Sequence, residues 1–299
     1  MPPTTLQASP PAEFSTTIRP MDTISSTPPR RERRRVAGVS VALSWPKSDA
    51  PVHGVTFLLP GAMISISEFN TVRDVIIEHN HLVVSTFMNV MWPLINNHRK
   101  HAKDVKKIFD ELKATFHDEL RNISRYNLIG HSVGAKVSLL VASIIDSKRV
   151  KAVLALDPVD IGPTEFTNSR GSNLPLGDEV TQSDGEDEVI HVQKTSSDIQ
   201  STGKDKYGID EAHHSIPIIL TCTDGGLGIP ESHNACAIHK FHPATTKCYR
   251  HEHAGHLAYY DHGGGKMAKM LMPDIGTKQG NQKARDAAYD LVRQLLRSE

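Results

Sequence analysis

The fold of this chain is decided by the stretch Tyr126-Asn-Leu-Ile-Gly-His-Ser-Val-Gly-Ala-Lys136. Its apolar start enters the pattern Gly130-x-Ser132-x-Gly134, and a helix-like segment, Val137–Ile145, follows. A strand that reverses sharply into a helix with serine at the bend is a nucleophile elbow. Glycines on both sides leave room where a Cβ would collide. The pattern therefore predicts a serine nucleophile at the carboxyl end of a strand.

Apolar runs alternate with helix-length amphipathic segments on both sides of this stretch. The predicted strands are Val39–Leu43, Val55–Leu59, Leu82–Phe87, Tyr126–Ile129, Lys151–Leu156 and Ile216–Thr221. The predicted helices are Ser67–Glu78, His98–Leu120, Val137–Ile145 and Lys283–Leu296. This alternation indicates a parallel sheet with both faces covered. Together with the elbow it predicts an α/β-hydrolase fold, with a mostly parallel central sheet and helices on both faces, as a single domain over residues 36–299.

Length and charge limit the classes of function. The chain has 299 residues and a formal net charge of zero at pH 7, which suits one large domain and does not favour nucleic-acid binding. No apolar run approaches the roughly 18 residues of a membrane span, so we expect no integral membrane segment. The three cysteines, Cys222, Cys236 and Cys248, lack zinc-site spacing. Cys236 and Cys248 could pair in an oxidising compartment, and the sequence leaves that open.

Two segments fall outside the alternating pattern. Residues 1–35 hold seven prolines and six arginines and too little apolar surface to fold, so a disordered tail and a Ser- and Arg-rich targeting segment are both open. Residues 164–213 form a polar insertion, within which Asp178–Glu211 carries ten acidic and three basic residues. We expect a surface loop there, and a lid over the site is the alternative.

A serine nucleophile needs an acid and a histidine, which follow it in that order in α/β-hydrolases. Asp157 and Asp224 each end a predicted strand, at the edge of the sheet where such sites are built. His256 follows Gly255 in a turn of small residues before the last helix, from which it can reach the serine. The residues alone predict a catalytic triad of Ser132, His256 and one of the two aspartates.

The segment Pro60-Gly61-Ala62 follows the strand Val55–Leu59, where these enzymes place half of the oxyanion hole. The backbone N–H of Ala62 or Met63 would join that of Val133 to stabilise a tetrahedral oxyanion.

Five landmarks resemble those of chlorophyllases, in the same order and over roughly residues 55–262. They are Gly130-His-Ser-Val-Gly-Ala-Lys136, Ala155-Leu-Asp-Pro-Val-Asp160, Gly226-Leu-Gly228, Cys236-Ala237, and Gly255-His256 with Asp261. The resemblance implies that Ser132, Asp157 and His256 are the triad. It also implies hydrolysis of the phytyl ester of chlorophyll to chlorophyllide and phytol, with no cofactor and no metal ion. We expect a plastid location with peripheral contact to thylakoid membranes, and a cytoplasmic location is the alternative.

The chain departs from the family pattern beside the triad. Chlorophyllases usually have an arginine and two glycines after the serine, where this chain has Val133, Gly134 and Ala135, and an aspartate where it has Ala258. These positions touch the pocket wall more than the triad. An apolar groove for the alcohol would draw on residues near the same edge, namely Met63, Ile64, Ile66, Met88, Met91 and Trp92.

Three other interpretations remain open. The protein could be an esterase or lipase acting on another apolar ester, or a non-catalytic protein of this fold that binds a pigment or lipid. A metallo-hydrolase is the third, because His251-x-His253-x-x-His256, with Asp261 and His262 nearby, has ligand-like spacing. We expect the serine mechanism instead, since the metal motif would need an aspartate at Gly255.

Overall fold

The computed structural model describes residues 29–47, 50–61, 64–86, 98–145, 148–158, 216–225, 246–263 and 276–297. Within these ranges eight strands form one sheet in the order β1-β2-β4-β3-β5-β6-β7-β8. The strands are β1 Arg31–Val36, β2 Val39–Ser44, β3 Gly54–Leu59, β4 His81–Thr86, β5 Tyr126–His131, β6 Val150–Leu156, β7 Ile218–Gly225 and β8 Thr246–Gly255. β1 and β2 pair antiparallel, as do β2 and β4, and the other pairs are parallel. The mostly parallel sheet predicted from the sequence is confirmed.

Helices cover the sheet on both faces, as the sequence predicts. They are α1 Asn70–Glu78, α2 His98–Thr115, α3 His117–Leu120, α4 Val133–Ile144 and α5 Lys278–Arg297, and 3-10 turns cover Ile66–Phe69 and His256–Tyr259. Successive side chains of a strand point to opposite faces, so β3 gives Phe57 to one apolar layer and Leu58 to the other. Helices α2 and α4 pack against the first layer, and α1 and α5 against the second.

Regular structure begins before the boundary predicted at residue 36. Strand β1 includes five of the residues assigned to the tail, because its backbone pairs with β2 along its whole length. The guanidinium groups of Arg30 and Arg34 lie over the rings of Trp45 and Phe116, 4.4 and 5.0 Å from their centroids. Arginines can therefore cover the edge of the core while they stay charged. Residues 1–28 and the predicted insertion at 164–213 lie outside the described residues.

Strand β8 is the other element that the sequence analysis did not predict. It is an edge strand, and most of the side chains in its first eight residues are partly or fully exposed. Its sequence, Thr-Lys-Cys-Tyr-Arg-His-Glu-His-Ala-Gly, has no apolar alternation because little of it faces the core. The strand ends at Gly255, immediately before the turn that starts at His256. In the described part of the chain, no helix is long and apolar enough to cross a membrane.

Candidate active site

The backbone between β5 and α4 makes the sharp turn that the sequence predicts. Ser132 has φ 56° and ψ −123°, a conformation that residues with a side chain rarely adopt. A Cβ added at Gly130 would lie 2.3 Å from the Gly134 carbonyl oxygen, and one added at Gly134 would lie 2.1 Å from the Leu59 oxygen. Both contacts are far below van der Waals distance, so the turn requires glycine at both positions.

Asp157 leaves the sheet beside the serine. In the β5–β6 ladder His131 pairs with Leu156, so the next residues, Ser132 and Asp157, follow the ends of adjacent strands. The Ser132 N–H donates to the Leu156 carbonyl oxygen at 3.0 Å, which fixes the two turns together. Asp157 also has a positive φ, 44°, so its chain bends away as soon as β6 ends.

The carboxylate of Asp157 is held from two sides. Oδ1 accepts from the Thr223 N–H at 3.2 Å, and Oδ2 accepts from the Thr223 hydroxyl at 2.7 Å. Oδ2 also bonds His256 Nδ1 at 2.7 Å. The Asp157 N–H donates to the Thr221 carbonyl oxygen at 3.0 Å and approaches the Thr221 hydroxyl at 3.2 Å. The sequence analysis missed these threonines, because threonine in a strand is common and carries no signal of this role.

His256 opens the 3-10 turn that follows β8. A carboxylate is an acceptor, so the bond to Asp157 places the proton of the neutral imidazole on Nδ1 and leaves Nε2 as the basic nitrogen. Ser132, Asp157 and His256 are all buried, with 8%, 5% and 2% of their surface exposed. In the low-dielectric surroundings of a buried site, charges interact more strongly than in water.

Asp224, the rival acid, takes no part in this arrangement. Strand β7 continues through Asp224 to Gly225, and the Asp224 side chain is exposed. The structure thus brings Asp157 against His256 and leaves Asp224 outside the site.

The structure describes only one side of the predicted oxyanion hole. Val133 is the first residue of α4, and the N–H groups at a helix start have no partner within the helix. Ala62 and Met63 lie outside the described residues. Gly61, just before them, lies against the nucleophile, since a Cβ added there would be 3.1 Å from the Ser132 Cβ.

His131, next to the nucleophile, is the centre of a buried hydrogen-bond network. Its Nε2 bonds the carbonyl oxygen of His256 at 2.8 Å, and its Nδ1 bonds the hydroxyl of Tyr260. The same hydroxyl accepts from the Gly61 N–H at 3.3 Å. Burial holds the pKa of His131 well below its ordinary value of 6.5, and the neighbouring His256 lowers that pKa further. The sequence analysis gave no sign of this network.

The remaining candidates are only partly described. Ile64 is buried and Ile66 half-buried, while Met63, Met88, Met91 and Trp92 lie outside the described residues. Among the residues that are described, no group of three or more His, Cys, Asp and Glu side chains is placed to hold a metal ion.

No protein-family model matches the sequence, and no curated protein matches it. Several solved structures are similar in fold. TT1662 from Thermus thermophilus has a TM-score of 0.54 at 16% identity, covering 90% of this chain and 99% of its own. The Pyrococcus furiosus esterase Pf2001 has a TM-score of 0.54 at 13% identity, covering 91% and 93%. Esterase 2 of Thermogutta terrifontis, phosphoramylated by tabun, has a TM-score of 0.53 at 13% identity, covering 93% and 98%.

The chain has the α/β-hydrolase fold. Within this fold the likeness to these structures shows the architecture alone, because the identities are low. The resemblance to chlorophyllases in particular stays a prediction. We therefore infer the chemistry from the residues at and around the Ser132 turn.

Proposed function

We propose that this protein hydrolyses carboxylic esters through a covalent acyl-enzyme on Ser132. The observation that carries the proposal is the strained turn at Ser132 beside the buried pair of Asp157 and His256, joined at 2.7 Å. A strained nucleophile, a histidine and an acid that fixes the histidine tautomer are the three parts of this mechanism. The presence of two esterases among the similar folds supports the same reaction class.

Acylation would begin with attack of Ser132 Oγ on the ester carbonyl carbon. His256 Nε2 takes the hydroxyl proton, and Asp157 stabilises the imidazolium that forms. The oxyanion would lie against the N–H of Val133 and, as predicted, that of Ala62. One such donor is typically worth about a hundred- to a thousandfold in rate.

Collapse of the tetrahedral intermediate breaks the bond to the alcohol oxygen. His256 returns its proton to that oxygen, so the alcohol leaves neutral and the acyl group remains on Ser132. Water then attacks the acyl-enzyme and gives its proton to His256. The second collapse releases the carboxylic acid and restores the Ser132 hydroxyl.

The test uses p-nitrophenyl esters of increasing acyl length, with wild-type protein and the Ser132→Ala variant. We expect nitrophenol release by the wild type, loss in the variant, and a serine-directed fluorophosphonate adduct on the wild type alone. A chelator is expected to leave turnover unchanged, whereas loss of turnover on chelation would support a metallo-hydrolase instead. Absence of turnover with every ester would refute the proposal and leave a binding protein of this fold.

The finer proposal is that the ester is the phytyl ester of chlorophyll, cleaved in the plastid at or near the thylakoid surface. It rests on the order of the landmarks around Ser132, Asp157 and His256. The experiment is incubation with chlorophyll a, with chlorophyllide release measured for wild type and Ser132→Ala. Turnover of p-nitrophenyl esters without chlorophyllide would keep the esterase, reject the pigment, and favour another apolar ester.

A further inference from the structure

We propose that His131 is a positioning residue that holds the base, His256, and the loop at Gly61 in place around the nucleophile. This inference rests on the proposed function and assigns a role to a residue outside the triad and the oxyanion hole. Its basis is that one imidazole, next to Ser132 in the chain, makes hydrogen bonds from both ring nitrogens to the two other parts of the site.

The direction of each bond follows from the partners. The carbonyl oxygen of His256 can only accept, so Nε2 of His131 carries the proton. Nδ1 is then the acceptor and takes the proton of the Tyr260 hydroxyl. The Tyr260 oxygen is left to accept from the Gly61 N–H at 3.3 Å. Each hydrogen bond in the series from Gly61 to His256 thus has one direction, which fixes the neutral Nε2–H tautomer of His131.

The ring is enclosed by other rings that prevent rotation. Its centroid lies 4.5 Å from Tyr260, 4.6 Å from His256, 5.6 Å from Tyr259 and 6.4 Å from Phe69. Protonation of Nδ1 would remove the acceptor for Tyr260 and place a second cation beside His256 when that residue becomes an imidazolium. A neutral His131 therefore keeps the hydrogen bond from Tyr260 and places no second positive charge beside His256.

The consequence is geometric. Loss of the bond to the His256 carbonyl releases the turn that carries the proposed base. Loss of the Tyr260 bond releases Gly61, which precedes the predicted donor Ala62. A displacement of about 1 Å at a reacting group can cost about a hundredfold in rate. The effect should fall on kcat, because these contacts touch the reacting groups and not the substrate's remote parts.

The test compares three variants with wild type, using p-nitrophenyl ester turnover per active site counted by fluorophosphonate labelling. His131→Phe keeps the flat ring and loses both bonds, so we expect kcat to fall about a hundredfold with KM within about threefold. His131→Gln keeps a donor for the His256 carbonyl and should recover kcat to within about tenfold of wild type. His81→Phe is the control, since His81 is equally buried but lies at the start of β4 and bonds Thr56 Oγ1.

A purely structural role would give a different pattern. His131→Phe and His81→Phe would then lower the melting temperature alike, and both would keep wild-type kcat per labelled site, which would overturn the inference. Equal kcat loss in the Gln and Phe variants would also overturn it, because the retained donor would then have no effect.

A second readout is independent of turnover. Long-range ¹H–¹⁵N correlation spectra of the Ser132→Ala protein should show His131 as the neutral Nε2–H tautomer from about pH 8 down to about pH 5.5. If wild type hydrolyses no ester, the proposed function fails, and these spectra still decide the network. A charged His131 or an Nδ1–H tautomer in that range would refute it.

Discussion

Replacement of Asp157 by asparagine removes the charge of the triad acid and keeps its shape. Oδ2 of Asp157 accepts two hydrogen bonds, from the Thr223 hydroxyl and from His256 Nδ1, both at 2.7 Å. Oδ1 accepts the Thr223 N–H at 3.2 Å, so the amide oxygen of asparagine should take that place and turn its NH₂ toward His256. His256 would then present a lone pair at Nδ1 and carry its proton on Nε2, where it cannot accept the proton of Ser132.

The expected cost follows from the loss of the working tautomer and of the imidazolium's counter-charge. We expect kcat to fall by about 10⁴, the size seen when a triad acid is amidated, which corresponds to about 5.4 kcal/mol of transition-state stabilisation. KM should change little, because the carboxylate is buried behind His256 and away from the substrate. The melting temperature should stay close to that of wild type, since the side chain keeps its volume.

The assay is nitrophenol release over a range of ester concentrations, with Asp224→Asn as the matched control. Asp224 is exposed at the end of the next strand, so its variant should keep wild-type kcat. A large loss in the Asp224 variant together with a loss below about tenfold in the Asp157 variant would refute the assignment of the acid.

Three further outcomes are expected. Gly134→Ala should lower the free energy of unfolding by about 3 kcal/mol, because its Cβ would lie 2.1 Å from the Leu59 oxygen; thermal melts with a loss below about 1 kcal/mol would contradict this. Tyr289→Phe removes a hydroxyl that donates to Asp261 Oδ1 at 3.0 Å and should cost about 1 kcal/mol in urea unfolding, with wild-type stability as the contrary result. Burial depresses the pKa of His131, so below about pH 6.5 the unfolded chain binds a proton that the folded chain does not. Stability should then fall by up to ~1.4 kcal/mol per pH unit as the pH drops, and an equally steep fall in His131→Gln would exclude this source.

The inner strands of the sheet could be predicted from the sequence, whereas the edge strands β1 and β8 could not. Strands β3 to β7 are buried between two helical layers, so they appear as continuous apolar runs. β1 is rich in arginine and β8 is polar, because each has a neighbouring strand on one side only in the sheet that the described residues form. Their backbone pairing stabilises them without an apolar pattern that periodicity could detect.

The site was predicted as far as chain order allowed. Ser132 and His256 could be named because an elbow and a small-residue turn leave local signatures. The choice between Asp157 and Asp224 depended on where each strand ends in space: the chain turns at Asp157, whereas β7 runs on to Gly225. The network of His131 and Tyr260 joins residues 129 positions apart in the chain, so no local pattern could reveal it.

The positive φ angles at Ser132 and Asp157 destabilise the fold, because both residues have a Cβ. A residue with a Cβ in such a conformation typically costs about 1–3 kcal/mol, and glycine would relieve most of it. The sequence best suited to this backbone is therefore not the reactive one. A selection of variants for heat tolerance alone would tend to enrich glycine at both positions and so discard the proposed chemistry, which makes activity screening a necessary partner of any effort to stabilise this protein.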